Sequence, residues 1–347
     1  MSEEVIKDKI DVIIPAYNCH NTIERCIMSI IVQTIKNDLK VTIVDDCSDH
    51  NYFYLLDKYG KDIDLNVIRM DQNGGPGIAR QMGFDNTTNP LITFIDADDV
   101  FSSPFSLELL RNWIYEDDYE KNVGAWGTFF ENQTAESFVK HPPASVWMFG
   151  KLYKRSFWIK HGICFHPTSR YNEDTGVNLM CELFSNNEDE RIIKKDELVY
   201  YWMNGQRTIT RKDGNVDDYG DNHGLVGYAE NCTRTMLYCM AHNNNNIIRS
   251  KALEILMFLY LYYCKAEQNN AYLLDLVRYR CAEFYQKVYL QYNNFTKMEK
   301  TIYFKNSLNN MSTIIPQYTF EEWEKMMAEY DLTQPVPEYI NERRIYE

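Results

Sequence analysis

The sequence predicts an α/β fold: a mainly parallel sheet flanked by helices, followed by an α-helical C-terminal module. Three observations carry this. Between Ile10 and Asp99 short apolar runs alternate with helical patterns, the signature of parallel strands joined by crossover helices. Polar or glycine-rich clusters close these runs, where the carboxyl ends of parallel strands receive ligands. Beyond about residue 215, helical periodicity is the only pattern left. A chain of 347 residues, 45% of them hydrophobic, is long enough to bury a sizeable core.

The elements follow in order. Ile10–Ala16 is a continuous apolar run ending in Pro-Ala, as expected of a strand buried on both faces. Asn21 with Glu24 three residues on predicts an N-cap for a helix through Ile27, Ile30 and Ile31. A second strand is expected at Val41–Val44, a helix at Tyr52–Tyr59 and a third strand at Leu65–Met70. Asn73–Gly77 reads as a loop opening a helix over Ile78–Asp85, and Leu91–Ile95 as a fourth strand. Further on, a helix is expected at Ser106–Tyr115 and a strand at Val123–Phe130. A helix then follows Glu173-Asp174, and a last strand covers Glu197–Trp202. Thr319-x-x-Glu322 is a capping box that predicts the final helix. The expected organisation is residues 1–215 as the α/β domain and 216–347 as the helical module, with no internal repeat.

Composition narrows the function classes. Thirty-six Lys and Arg against 50 Asp and Glu give a net charge of -14, which opposes a surface devoted to nucleic acid. Only 15 Gly and 10 Pro exclude collagen-like and linker-like chains. The nine cysteines are odd in number and form no Cys-x-x-Cys pair, so scattered reduced thiols are expected in place of a zinc cage. The N-terminus lacks signal-peptide architecture, and the most apolar window, Ala252–Cys264, falls short of the ~20 residues that cross a membrane. A cytoplasmic location is the expectation.

Three polar clusters carry chemistry. Asp96-Ala97-Asp98, with Asp99 adjoining, places hard carboxylate oxygens at a strand tip, suited to Mg²⁺ or Mn²⁺ holding a diphosphate. An acidic turn closing a strand is the plainer alternative. Asp45-Asp46 can accept hydrogen bonds from a nucleobase or ribose, or again merely turn the chain. In Asn73–Gly77 with Arg80, the glycines permit close backbone approach and the guanidinium can pair with phosphate. Neither Gly-x-Gly-x-x-Gly nor a Walker loop is present, so dinucleotide and P-loop chemistry is unsupported.

The order and spacing of Ile-Pro-Ala-Tyr-Asn (14–18), Val-Asp-Asp-Cys-Ser (44–48), Asn-x-Gly-x-x-x-Ala-Arg (73–80) and Asp-Ala-Asp-Asp (96–99) resemble the family 2 glycosyltransferases with the GT-A fold. Gly150–Arg155 looks like that family's Lys-Leu-aromatic segment, and Glu173-Asp174 resembles its Glu-Asp pair. Tyr200–Trp202 through Thr210 resembles its closing segment more loosely. The resemblance implies an inverting, non-processive transferase using a nucleotide sugar, most often UDP-linked. In it Pro15, Ala16, Tyr17, Asn18, Asp45 or Asp46, Asn73 and Gly77 would line the donor site. Asp96 and Ala97 would lie near the ribose, Asp98 and Asp96 would hold Mn²⁺ or Mg²⁺, and Arg80 would help neutralise the diphosphate. Asp174 would be the base that takes the acceptor proton, with Trp147, Lys151 and Glu173 on the acceptor side. Arg80 is followed here by Gln81 where many members have Asn, and Asn204–Arg207 replaces a segment that often holds a His. His223 is then the candidate third metal ligand. The processive Gln-x-x-Arg-Trp signature is absent.

The expected acceptor is a glycan or lipid-linked glycan. Three other readings stay open. One is a transferase acting on a hydroxymethylated pyrimidine in DNA, which the aromatics and the basic cluster of Lys151, Lys154, Arg155 and Lys160 leave open, a solvated helix face being the plainer account of that cluster. Another is a sugar-nucleotide pyrophosphorylase, which lacks its Gly-rich, basic loop after the first strand. The third is a non-catalytic helical interaction protein with a degenerate GT-A domain. The helical module is open to acceptor binding, dimerisation or peripheral membrane contact.

Overall fold

Strand β1 (Ile10–Ala16) is apolar at nearly every position because it lies in the middle of a sheet, paired in parallel on one side with β2 (Leu39–Asp45) and on the other with β4 (Leu91–Phe94). The computed structural model describes residues 7–134, 137–167, 169, 171–203, 223–242, 246–268, 273–292, 294–310 and 316–337. Two compact units divide the chain, Met1–Arg207 and Thr208–Glu347. The boundary expected near residue 215 lies outside the described residues.

In the first unit, α1 (Ile23–Ile31), α2 (Tyr54–Tyr59), β3 (Asp64–Arg69) and α3 (Pro76–Asp85) complete the alternation begun by β1 and β2. Then come β5 (Val100–Phe101), α4 (Ser106–Tyr115), β6 (Asn122–Thr134), β7 (Ser137–His141), β8 (Lys151–Lys154), α5 (Arg155–Lys160), α6 (Glu173–Phe184) and β9 (Arg191–Met203). The sheet order is β3-β2-β1-β4-β8-β6-β9-β5, with β7 on β6. The first four strands are all parallel, whereas β8 is antiparallel to both its neighbours. Strand order turns back at β1, so a crevice opens beyond the carboxyl ends of β1 and β4. The sheet is thus mixed, with its parallel half assembled from the stretch where the sequence alternates most clearly.

The helix after β1 starts differently from the expectation. Thr22, not Asn21, precedes it, and no side chain caps it. The Thr22 hydroxyl donates back to the Cys19 carbonyl, and Glu24 turns to Lys58 and Tyr59 instead of closing a capping box. The box at Thr319 forms as expected: Thr319 Oγ1 accepts from the Glu322 N–H at 3.2 Å, and the Glu322 carboxylate accepts from the Thr319 N–H at 2.8 Å.

At the end of the sheet opposite the crevice, Arg155 ties four segments together. Its guanidinium donates to Asp11 Oδ2 (2.9 Å), Thr87 Oγ1 (2.7 Å), the Phe84 carbonyl (2.9 Å) and the Asn89 carbonyl (2.8 Å). Asp11 is fully buried, so this ion pair is sealed from water. Lys151 and Lys154 are buried too: Lys151 donates to the Ala144 carbonyl and Asn178 Oδ1, and Lys154 to the Tyr119 carbonyl. This corrects the reading of residues 151–160 as a solvated basic face. Three of its four cations are spent inside the fold, and with them goes the ground for a DNA-binding surface.

The second unit packs α7 (His223–His242), α8 (Asn246–Gln268), α9 (Leu274–Lys287), α10 (Lys297–Asn310) and α11 (Phe320–Glu329). Tyr260, Tyr263 and Trp323 are buried together at its centre, with Tyr260 and Trp323 ring centroids 5.5 Å apart. Cys264 and Cys281 are buried as well, consistent with core thiols. Among the described residues no helix is long and apolar enough to cross a membrane.

Removing one member of a buried ion pair strands the other charge. Arg155→Met should therefore lower unfolding stability by about 3–5 kcal/mol in urea titrations. A loss under about 1 kcal/mol, the value of an exposed pair, would contradict this assignment.

Candidate active site

The site is a set of carboxylates at the carboxyl ends of β2 and β4 and at the start of α6, beside the loop that follows β1. Parallel strands bring these ends to one edge, and each carboxylate there must find compensation or titrate. Most find it. Asp45, fully buried, accepts from Arg69 Nη1 at 2.5 Å and from the Ser48 N–H at 2.9 Å. Arg69 stands opposite Asp45 in the β2–β3 register. Asp46 accepts from the Gly74 N–H (2.7 Å) on one oxygen and the Gly75 N–H (2.8 Å) on the other, while Asn73 Nδ2 donates to the Asp46 carbonyl. Gly75 has φ of +89°, a conformation that a side chain would strain, and this turns the loop so that consecutive N–H groups face one carboxylate.

The loop after β1 is built the same way. The Asn18 N–H donates to Ser48 Oγ and Asn18 Oδ1 accepts from the Asp49 N–H, locking the first loop to the second. Pro15 is half-buried, Ala16 is buried in the sheet and Tyr17 is exposed. Three non-glycine residues take left-handed backbone in the loops around this edge: Asn18 (φ 49°), Cys47 (φ 61°) and Asn172 (φ 53°). Such conformations cost energy and persist where the surroundings over-determine them, often at functional sites.

Beyond β4, Asp96, Asp98 and Asp99 each bring a carboxylate oxygen within 4.8 Å of the others, with Ala97 buried between. Asp99 is fully buried and accepts from the Tyr200 hydroxyl and the Met203 N–H, both at 2.7 Å. Burial and the neighbouring acids hold its carboxyl well above the usual carboxylate range. Asp98 is half-buried, and among the described residues no other side chain donates to its carboxylate. Desolvation, and then the charge of Asp96, push it up to about 6. Crowded oxygens whose negative charge is disfavoured are the donor set that a divalent cation would relieve. The sequence pointed to Asp96 and Asp98. Asp99 was visible only as an adjoining acid, and its closeness to the pair comes from the turn after β4. His223 opens α7 in the other unit, and its side chain lies outside the described residues.

Arg80 does not reach outward. The residue is 4% exposed, and its fork bonds Glu173 Oε1 at 2.5 Å and Asp96 Oδ1 at 2.6 Å. The structure thus pairs Arg80, which the resemblance expects to help neutralise a diphosphate, with two carboxylates. Glu173 is buried as Arg80's partner. Asp174 beside it has no hydrogen-bond donor among the described residues. Burial first, then the Glu173 charge, push its carboxyl up to about 7, with Arg80 and Lys151 pulling the other way. Gly77 matters here because a Cβ on it would meet Glu173 Cγ at 2.8 Å.

The remaining acceptor-side candidates are packed. Lys151 lies 2% exposed with its ammonium 3.9 Å from the Trp126 ring, and burial draws its pKa down to about 7. It grips Asn178 on α6, so it braces the helix that carries Asp174. Trp147 is half-buried and packs edge-on against Phe129 (5.2 Å) and His141 (4.8 Å). No sequence pattern separated these packed residues from exposed ones.

Residues 11–172 match the Glycosyl transferase family 2 profile. Glycosyltransferase GlyA of Streptococcus pneumoniae serotype 4 is 29% identical over 158 residues, 43% of this chain and 22% of that protein. Poly(ribitol-phosphate) beta-N-acetylglucosaminyltransferase TarS of Staphylococcus aureus is 32% identical over 93 residues, 26% of this chain and 16% of that protein. The chain thus spans less than a quarter of the length of either relative. In three dimensions, S. aureus TarS 1–349 in complex with UDP-GlcNAc gives a TM-score of 0.64 at 16% identity, covering 88% of this chain and 92% of that one, a likeness of fold.

The raised carboxyl of Asp174 has a consequence for stability. In the folded chain it binds a proton up to about pH 7, while unfolded it releases one near the ordinary carboxylate value of about 4. Folding therefore becomes less favourable as pH rises through that window. Asp174→Asn should melt above the wild type at pH 8, with the gap closing toward pH 4.5. Equal melting temperatures across that range would show that Asp174 titrates normally.

Proposed function

Residues 11–172 belong to glycosyl transferase family 2, and from that premise we propose that the protein is an inverting, metal-dependent transferase moving a sugar from a UDP-linked donor to a hydroxyl of a glycan or lipid-linked glycan. One observation carries the reading. A single buried arginine bonds both Asp96, one of the three clustered aspartates after β4, and Glu173, the residue next to Asp174, so an acidic, cation-suited edge and a base candidate belong to one site. The fold partner solved with UDP-GlcNAc supports the choice of donor, and relatives named as poly(ribitol-phosphate) transferases support a glycan-like polyol acceptor.

The chain's residues divide the work. The loops after β1 and β2, fixed to each other through Asn18 and Ser48, form the floor for the nucleoside. The carboxylate of Asp46 is occupied by the Gly74 and Gly75 N–H groups, and that of Asp45 by Arg69 and Ser48, so these acids shape the floor. Asp98 and Asp96 would hold a divalent cation, with Asp99 fixing the turn. Such an ion offers charge stabilisation to a departing diphosphate. Asp174 accepts the proton of the acceptor hydroxyl. A carboxylate with a pKa near 7 is a stronger base than an ordinary one and is still largely ionised at slightly alkaline pH. Single displacement needs only two positioned substrates and this base, and it inverts the anomeric centre.

The test is a thermal-shift panel of nucleotide sugars with and without Mn²⁺. A donor at 100 times its Kd should stabilise the fold by about 2.7 kcal/mol, and Asp98→Ala should abolish the metal-dependent part. Absence of any shift or donor hydrolysis across UDP-, GDP- and dTDP-sugars would sink the reading.

With a donor identified, Asp174→Asn should lower kcat by about 10²–10⁴. Wild-type kcat should rise with pH through about 7 as Asp174 ionises. A flat profile from pH 5.5 to 8.5 would remove Asp174 from the base role.

A further inference from the structure

We propose that Arg80 is a positioning residue, a fork that fixes the base-bearing first turn of α6 against the Asp96 strand end, and not a ligand of the donor diphosphate. The proposal rests on the transferase reading for its catalytic meaning, and on geometry for its placement. Both terminal nitrogens of Arg80 are engaged, Nη1 by Glu173 and Nη2 by Asp96. Its Nε is buried and has no partner among the described residues, and the side chain is only 5% exposed, so little of the guanidinium faces solvent. A diphosphate could recruit Arg80 only by breaking two short ion pairs and leaving Glu173 buried without its cation.

Four further contacts fit a positioning role. Gly77 lies one turn before Arg80, and its missing side chain lets Glu173 pack directly on α3; a Cβ there would come within 2.8 Å of Glu173 Cγ. The next residue, Gln81, accepts the Phe165 N–H at 3.0 Å, and Arg80 lies 5.8 Å from the Phe165 ring, so the same turn of α3 also pins the chain that leads into α6. Beyond Arg80's reach, Lys151 holds Asn178 one turn further along α6. Among the described residues no hydrogen bond holds the Asp174 carboxylate, so its position follows the first turn of α6, which Glu173 ties to Arg80. The planar, two-armed guanidinium suits this task, because an ammonium is a point charge that cannot span two carboxylates in the same fixed geometry.

The experiment uses the full chain with Arg80→Met, Arg80→Lys and Gly77→Ala, the last displacing Glu173 while leaving Arg80 in place. Calorimetric titration with UDP and with GDP, each with Mn²⁺, should give a Kd within threefold of wild type for all three. Turnover should show kcat reduced about a hundredfold in Arg80→Met and Gly77→Ala with donor KM unchanged, and less in Arg80→Lys, since a displacement of about 1 Å suffices for such a loss. Hydrogen exchange of the unliganded chain should speed up at least tenfold across residues 174–180 in Arg80→Met and Gly77→Ala. A tenfold or greater weakening of nucleoside diphosphate binding in Arg80→Met, with kcat within threefold, would overturn the proposal and make Arg80 a phosphate ligand. Wild-type exchange rates at 174–180 in Gly77→Ala would overturn it whether or not the chain is a transferase. A wild type that binds neither nucleotide sinks the transferase reading alone, because the exchange measurement still decides the placement. If Arg80→Met fails to fold, Gly77→Ala carries both readouts.

Discussion

Negative charge gathered at the carboxyl ends of buried parallel strands is the constraint on which the rest of this site depends. Carboxylates in such surroundings are costly unless each is paired or hydrogen-bonded. The chain meets the cost with different devices: an arginine opposite in register for Asp45, two glycine N–H groups for Asp46, a tyrosine hydroxyl for Asp99 and one shared guanidinium for Asp96 and Glu173. Among the described residues Asp98 and Asp174 receive no such donor from another side chain. Their carboxyls are pushed up to about 6 and about 7. The compensated acids hold the architecture, and the two left over carry the proposed chemistry.

The same economy explains the interior cations. Arg155, Lys151 and Lys154 are buried because each satisfies acceptors that would otherwise be orphaned: Asp11 and two carbonyls for Arg155, the Ala144 carbonyl and Asn178 for Lys151, the Tyr119 carbonyl for Lys154. A net charge of -14 therefore understates the local asymmetry, since several of the 36 cations never face solvent. Lys151 also connects this buried framework to α6, so the helix bearing Asp174 is held by Arg80 at its first turn and by Lys151 at its second.

Much of the framework was legible before any coordinates. Ile10–Ala16 and Ser106–Tyr115 form at the residues expected, because a run buried on both faces and a strong amphipathic period leave little freedom. The Thr319 capping box forms because all its partners lie within four residues. The Asn21 cap fails for the complementary reason: Thr22 and Glu24 find better partners in the Cys19 carbonyl and in Lys58 and Tyr59, the last two more than thirty residues away. The burial of Lys151 and Glu173 was not legible, because burial of a charged residue depends on what the fold brings to it, which no local pattern records.

What the sequence by itself determined is the alternation of strands and helices and the placing of acids and glycines at strand ends, both set by short-range periodicity and turn chemistry. What only the tertiary structure decided is the pairing among them. Asp96, Arg80 and Glu173 are separated by up to 93 positions, yet become one hydrogen-bonded unit because β4, α3 and α6 converge at one edge of the sheet. The identity of each charged group is written in the chain. Whether it is spent on the fold or left for a substrate is fixed by which opposite charge arrives within reach, and that is a property of packing.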